Sequence, residues 1–590
     1  MVWEGAVAVC GRSWRRIVSV AVGLSLFIPL PVLGADSHPS GSAIEQKGEK
    51  KGSGRNAVIQ EQQGKRFPWD QPGPASPVLH PGDPRSAGMV EESLDAIDPF
   101  IREKIQQERM PGAVVLIARS GSIVKHDAYG YAARYKDDRK TPLEQPVPMK
   151  KDTIFDLASI SKIFTTTAAM KLYEQGKFKL DDPVTQYIPA FAQNGKEEVT
   201  IRQLMTHTSG FESWIPLYEM GENREDRLGI VFHHPLENDP GTTYTYSDLN
   251  MITLGALVEQ LSGKRLDKFV KENITDPLGM EDTMYNPPDS LRDRIAATEY
   301  HPWTGRGLVW GEVHDENAWS LDGVAGHAGV FSTARDLGIF AHMMLQKGEY
   351  GGSRILKEST VDLLEKNQNE AFPGDDHGLG WELNQSWYMD ALTAPHTMGH
   401  TGYTGTSIAV SRDNAAIAIT LTNRVHPTRE SPSPNPVRRR VARHTADAIP
   451  IRMLKGEKPW FSGYGDGLDR SLLSGKWDRQ SDEKRILTFE TWHRMESRGD
   501  SSPPDYGIVE GSDDGESWTP LSSSYTGSSE GWIRERVTLP RGVKFLRFRY
   551  HTDSYANGRG WYVKNPVIQA ENGEDLPVTW SGEGWQKRGR

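Results

Sequence analysis

The sequence predicts an α/β domain, an antiparallel sheet flanked by helices with an all-helical subdomain, followed by a small all-β sandwich. Hairpin patterns stand near both ends of residues 86–453, and the stretch between them reads as mostly helical. After residue 453 the composition changes to short β-prone runs between Gly, Asp and Pro turns. A sheet assembled from both ends around a helical insert satisfies the first two observations, and such distant pairing predicts slow folding.

The elements follow in order. Arg12, Arg15 and Arg16 precede the apolar run "IVSVAVGLSLFIPLPVLGADS", which Pro29 and Pro31 interrupt and which ends at the small residues Gly34 and Ala35. That is the layout of a signal peptide over residues 1–35, cleaved near 34–36, and it predicts a secreted or extracytoplasmic protein. An uncleaved anchor is the alternative, and the only membrane association expected. Residues 36–85, rich in Ser, Gly, Pro, Gln and charge, read as a disordered tether. "AGMVEESLDAIDPFIREKIQQERMPG" places Leu94, Ile97, Ile101 and Ile105 at helical spacing. "GAVVLIARSGSIVKHDAYGYA" is a hairpin around Ser120-Gly121-Ser122, and "TGTSIAVSRDNAAIAITLTNR" is another, turning at Arg412-Asp413-Asn414. "NPVRRRVARHTADAIPIRML" closes the unit as a helix. Residues 454–475 read as a linker, 476–570 as the sandwich and 571–590 as a tail. Trp477, Trp492, Trp518, Trp532 and Trp561 are expected mostly to pack the sandwich core, with a carbohydrate-binding face as the alternative.

The bulk numbers exclude several classes. With 590 residues the chain exceeds one core, and a formal charge of −10 argues against a nucleic-acid partner. The single cysteine, Cys10, lies before the apolar run, so the processed chain would have no disulfide, thiol nucleophile or cysteine–zinc site.

Isolated motifs carry little. "GSSEG" at 527–531 matches a nucleophile elbow but lacks the strand before and helix after it. His314, Asp315 and Glu316 are three successive residues, which cannot easily converge on one ion; a hydrogen-bonded loop lining the site is the favoured reading, and no metal is expected. His207 and His327 sit in turn-like stretches and are read as structural.

"FDLASISKIFTTTAAMKLYEQGK" is different. Ser159 and Lys162 share one face of a helix at i, i+3, near its N-terminus. A serine hydroxyl needs a neighbour to take its proton, and Lys162 can do so only if its pKa falls well below ~10.4 through partial burial and nearby positive charge. Downstream stand Tyr246-Ser247-Asp248, ahead of the apolar run "MITLGALVEQLSG", and His400-Thr401-Gly402, opening a strand. Tyr246 is a second candidate base.

This order of motifs resembles the serine β-lactamases and penicillin-binding DD-peptidases, most of all the branch with class C β-lactamases, esterases and D-stereospecific peptidases. "LDDPVTQYIP", "VTIRQLMTHTSGF", "GHAGVFSTARDL" and "LTNRVHPTRE" extend the resemblance over residues 86–453. It implies a β-lactamase/transpeptidase-like fold, with Ser159, Lys162 and Tyr246 catalytic and no cofactor. It also implies an oxyanion hole of the Ser159 and Tyr403 amides, and substrate contacts from Asp248, His400, Thr401 and Gly402, the glycine leaving room for substrate. Two departures stand out. Asp248 replaces an asparagine common in the relatives and supplies no amide donor. His400 replaces the usual lysine, and a histidine near pKa ~6.5 would hold a substrate carboxylate only weakly or pH-dependently. The expected activity is therefore an acyl-enzyme hydrolase of an ester or D-amino-acid amide, DD-carboxypeptidase-like or esterase. A weak β-lactamase or a non-catalytic wall-binding sensor is the alternative. "GRGWYVKNPVI" resembles the closing strand of jelly-roll modules of secreted enzymes, which supports an accessory domain and names no ligand; peptidoglycan is a candidate partner only if this domain holds the protein on the cell wall.

Overall fold

Alternation along one strand divides the hydrolase core in two. In β2 (Gly112–Arg119) every residue is buried. Val114, Leu116 and Ala118 face one apolar cluster, whereas Ala113, Val115 and Ile117 face another. A strand covered on both faces reads as a continuous apolar run.

The computed structural model describes residues 75–589 apart from 452, 454–455, 478–483 and 497–504. The expected signal peptide and most of the expected tether lie outside the described residues. The tether's last part does not read as expected: β1 (His80–Pro81) pairs in parallel with β3 (Ser122–Tyr135). Two apolar residues beside it, Leu79 and Val78, were too few to show against the polar composition.

β4 (Pro142–Pro148) lies beside β3. The C-terminal contribution is β5 (Glu382–Leu383), β6 (Thr397–Thr401), β7 (Ser407–Ser411) and β8 (Ala416–Thr422). The strands run in the order β1-β3-β2-β8-β7-β6-β5. The two ends of the domain meet where β8 pairs antiparallel with β2, from Ala416 opposite Arg119 to Thr422 opposite Ala113. Both expected hairpins form; at the first, Ser120 and Gly121 take the positive φ that a two-residue turn requires.

The expected N-terminal helix forms as two, α1 (Glu91–Asp95) and α2 (Ile97–Gln106). Between the two strand groups lie α3 (Ser161–Glu174), α4 (Asp248–Ser262) and α5 (Ala334–Leu345). Eleven of the fourteen residues of α3 are buried, so it is a central helix with no solvent stripe. It stacks Phe164 on Phe340 of α5, ring centroids 4.5 Å apart. On the other face of the sheet α6 (Asn435–Asp447) packs with α1 and α2.

The C-terminal region is two facing antiparallel sheets. One orders 533–539, 485–494, 560–570, 460–461 and 586–587; the other orders 519–520, 506–512, 545–551, 469–474 and 580–581. The sandwich is therefore larger than 476–570. Residues read as linker supply strands Trp460–Phe461 and Asp469–Ser474, and residues read as tail supply Trp580–Ser581 and Gln586–Lys587. Runs this short between glycines carry no visible period, yet they cover sheet edges that would otherwise be open. Trp477 and Trp561 lie in the core with Trp585, while Trp492 and Trp532 pack beside a second small cluster and Trp518 lies under Arg547.

The sandwich is tied to α6. Arg443 donates two hydrogen bonds to Asp390, at 3.0 and 2.8 Å, and one to Asp466 at 3.0 Å. Arg588 pairs with Asp447, and Arg559 donates to the Ile449 carbonyl.

Candidate active site

Ser159 sits in a 3-10 turn, Ala158–Ile160, that runs into α3. Its neighbour Ala158 has φ 48°, a left-handed conformation that costs a non-glycine residue energy. The buried carboxylate of Asp156 holds that turn: Oδ1 accepts from the Ala158 amide at 2.8 Å and Oδ2 from the His314 amide at 2.6 Å. The start of α3 is clamped to the following segment, with Ser161 Oγ accepting from Val330 N at 3.0 Å and Thr165 Oγ1 donating to Gly326 O at 2.8 Å. Gly326 is required there, since a Cβ would lie 1.9 Å from the Met251 carbonyl of α4.

Lys162 is fully buried; its Nζ donates to Ser159 Oγ at 2.8 Å and to the His327 carbonyl at 3.2 Å, and it forms an ion pair with Asp248 Oδ1 at 2.7 Å. The expectation that Lys162 would be driven toward neutrality fails here. Burial alone would pull its pKa down, but the Asp248 carboxylate, with the Tyr246 phenol, outweighs burial and the net direction is up. The missing premise was the charge of the neighbour, which is negative.

Tyr246 and Asp248 flank the N-terminus of α4. Ser247 anchors them by donating Oγ–H to the Glu212 carbonyl at 2.6 Å and N–H to His207 Nδ1 at 3.1 Å. The Tyr246 ring packs on the His207 ring, centroids 4.6 Å apart, and lies 4.8 Å from Lys162 Nζ. His207 is thus a support for Tyr246. Burial pushes the Tyr246 phenol up to about 12, with the Lys162 ammonium pulling against it.

His400 lies at the end of β6, buried, with its ring 6.1 Å from that of Tyr246. Its Nδ1–H donates to the Thr401 carbonyl at 2.8 Å. Burial, helped by the Lys162 charge, drops its pKa to about 3. The expected weak or pH-dependent cation is therefore absent; His400 is neutral over the physiological range. Its Nε2 is left as a lone-pair acceptor.

Gly402 also differs from expectation. A Cβ there would lie 2.3 Å from the Leu157 carbonyl and 2.1 Å from Thr406 Oγ1. The room it leaves is used by the backbone leading to Ser159, rather than by substrate. Gly402→Ala is expected to push the nucleophile turn and the β6 end apart, costing about 1–3 kcal/mol in denaturant unfolding and at least ~10-fold in turnover.

Beyond Gly402, the Tyr403 side chain is two-fifths exposed and stacks on His314, centroids 5.7 Å apart. Among the described residues, neither the Ser159 nor the Tyr403 amide donates to a backbone carbonyl. Arg438 lies behind the turn and donates to the carbonyls of Gly402 and Thr406 at 2.7 and 2.9 Å. Two free N–H groups backed by a buried guanidinium can hold a developing oxyanion.

His314, Asp315 and Glu316 diverge. His314 Nε2 meets Glu299 at 2.9 Å, Asp315 Oδ1 meets His327 Nε2 at 2.8 Å, and Glu316 accepts from Arg429 at 2.6 Å. Sequence reasoning missed Asp156 altogether and did not bring Asp315 and His327 to the side of Lys162. The adjacency of Asp156 to the Ser-x-x-Lys stretch was the one available signal.

The β-lactamase family model matches residues 97–443. A protein of Escherichia coli K12 carrying the name of a D-alanyl-D-alanine carboxypeptidase is 34% identical over 392 residues, covering 61% of this chain and 89% of its own. A Salmonella schwarzengrund protein of the same name is 33% identical with the same coverage. Among solved structures, a penicillin-binding protein homolog from Caulobacter crescentus is 17% identical, with a TM-score of 0.48 over 61% of this chain and 99% of its own. EstCE1, a hydrolase with promiscuous acyltransferase activity, is 25% identical, with a TM-score of 0.47 over 60% and 98%. With the family model matching more than half its length, this chain belongs to the β-lactamase family.

Proposed function

We propose that the protein is a serine hydrolase that works through an acyl-enzyme on an ester or D-amino-acid amide of cell-envelope material, in the manner of a DD-carboxypeptidase or esterase. The observation that carries the proposal is the 2.8 Å contact between Lys162 Nζ and Ser159 Oγ beside the Tyr246 ring.

Ser159 Oγ attacks the acyl carbonyl, and its proton passes to the Tyr246 oxygen. Lys162, kept as an ammonium by Asp248, has no lone pair to accept it; its charge instead stabilises the phenolate. The amides of Ser159 and Tyr403 receive the oxyanion, and Tyr246 returns its proton to the leaving group. Water, activated by the same phenolate, then releases the acyl group.

The neutrality of His400 favours acyl donors that lack a carboxylate beside the scissile bond, since an imidazole without charge cannot pair with one. Incubation with a short-chain nitrophenyl ester, a D-Ala-D-Ala peptide and a penicillin tests this. An acyl adduct on Ser159, lost in Ser159→Ala, is expected, with the ester turned over fastest and the penicillin slowest. Turnover that survives Ser159→Ala would refute the mechanism.

The phenol at about 12 sets the pH profile. The basic form is the deprotonated one, so kcat/KM is expected to rise with pH through the alkaline range. Asp248 raises both Lys162 and Tyr246. Asp248→Asn should move that limb about one pH unit toward acid and raise the rate at pH 8 about tenfold. A limb that stays in place would remove Asp248 from this role.

Among the described residues no helix is long and apolar enough to cross a membrane. The proposal includes export by the N-terminal segment and retention on peptidoglycan by the C-terminal sandwich. Co-sedimentation of the full chain with insoluble cell wall tests the latter, and a chain left in the supernatant defeats it.

A further inference from the structure

Lys162 reaches out of α3 to the His327 carbonyl, 3.2 Å from its Nζ. That carbonyl belongs to a residue pinned at two points. The preceding carbonyl, of Gly326, accepts from Thr165 Oγ1 at 2.8 Å. The buried His327 ring donates from Nε2–H to Asp315 Oδ1 at 2.8 Å. Among the described residues this is the ring's one hydrogen bond, since Nδ1 has no partner.

Asp315 is itself held fast. Its Oδ1 also caps the short helix Glu316–Ser320, accepting from the Ala318 amide at 2.7 Å. The His314 amide before it donates to Asp156 at 2.6 Å, and Glu316 after it accepts from Arg429 at 2.6 Å. Burial alone would raise the Asp315 carboxyl, but the His327 ring and the Ala318 amide outweigh it and hold it well below the usual carboxylate range. An ionised acceptor makes the stronger hydrogen bond. Asp248 and Asp315 bring carboxylate oxygens to within 4.8 Å of one another. Like charges that close repel, and each is turned onto its own donor, Asp248 onto Lys162 and Asp315 onto His327.

We propose that Asp315 and His327 are positioning residues: their hydrogen bond fixes the His327 carbonyl, which in turn fixes the Lys162 ammonium between Ser159 and Tyr246. The inference rests on the acyl-enzyme chemistry proposed above and adds two residues to it. Both act through Lys162, so their loss falls on kcat rather than KM. It also has a direction in pH. Lys162 Nζ lies 4.8 Å from the Tyr246 ring, and its charge pulls the phenol pKa down. An ammonium that drifts pulls less, so the alkaline limb moves to higher pH, opposite to the shift expected of Asp248→Asn.

The test measures kcat, KM and the pH profile of full-length variants on a short-chain nitrophenyl ester, with Ser159→Ala in the same assay. His327→Leu removes the donor, and kcat is expected to fall about 10²-fold with the limb about half a pH unit higher. His327→Gln carries an N–H of similar reach and should recover kcat to within about fivefold of the unaltered chain. Asp315→Ala should match His327→Leu, and the double variant should lose no more than either single one, as residues acting through one contact do. Unchanged kcat or an unmoved limb in His327→Leu would overturn the inference, as would losses that add in the double variant. Should His327→Leu not fold, the same readings on Asp315→Ala decide. Turnover lost in Ser159→Ala but intact in His327→Leu defeats this inference alone; turnover that survives Ser159→Ala defeats the chemistry beneath it as well.

Discussion

Tyr246→Phe is expected to lower kcat/KM toward a nitrophenyl ester by about 10³-fold, within the range a positioned general base contributes. The reasoning rests on what remains when the hydroxyl is removed. Lys162 stays an ammonium held by Asp248 at 2.7 Å and still donates to Ser159, so it cannot take the serine's proton. The phenyl ring keeps its seat on His207, so Tm and circular dichroism should be unchanged. The pH profile offers a second reading of the same variant. The alkaline rise belongs to the phenol, and in Tyr246→Phe it should vanish. A variant that keeps most of its rate, with the rise intact, would assign the base to Lys162.

The largest effect on stability is expected at Arg443. Its pairing with Asp390 is bidentate and almost wholly desolvated, with side-chain exposures of 7% and 0%. Arg443→Met keeps the packing volume but leaves a buried carboxylate without its partner, at a cost of about 3–5 kcal/mol. The pH dependence gives a sign. Burial already raises the Asp390 pKa, against the opposing pull of Arg443. Without the guanidinium it rises further, so the folded variant binds a proton that the unfolded chain does not. Its deficit should therefore shrink as pH falls toward the ordinary carboxylate range and widen as pH rises through the folded pKa. Urea unfolding at pH 5 and pH 8 measures the difference. Equal deficits at both would mean that Asp390 finds another partner.

Much of this fold was legible in the sequence because its strands and helices carry strong periods. The apolar run of β2, broken only by its last residue, Arg119, and the two hairpin turns announce themselves. What escaped notice was short. Strands of two residues in the supposed linker and tail hold their places through pairing with long neighbours, and no local pattern records that. At the site, Ser159, Lys162 and Tyr246 were found from spacing and order, whereas their charge states were not. The direction of the Lys162 shift depends on Asp248, eighty-odd positions away, lying against it with one oxygen. Similarly, His400 is neutral because the end of β6 is buried, and a sequence does not state depth. Asp156 shows the same limit, since its role is to hold two backbone amides that only the folded loops bring together.

The pairing of Gly112–Arg119 with Ala416–Thr422 has a consequence for biosynthesis. While the ribosome works through the intervening helices, a strand with every side chain destined for the interior waits with one edge unpaired. Nascent chains interrupted before Thr422 cannot close the sheet and should aggregate or be degraded. Chaperone occupancy is thus expected to persist until nearly three-quarters of the polypeptide has emerged.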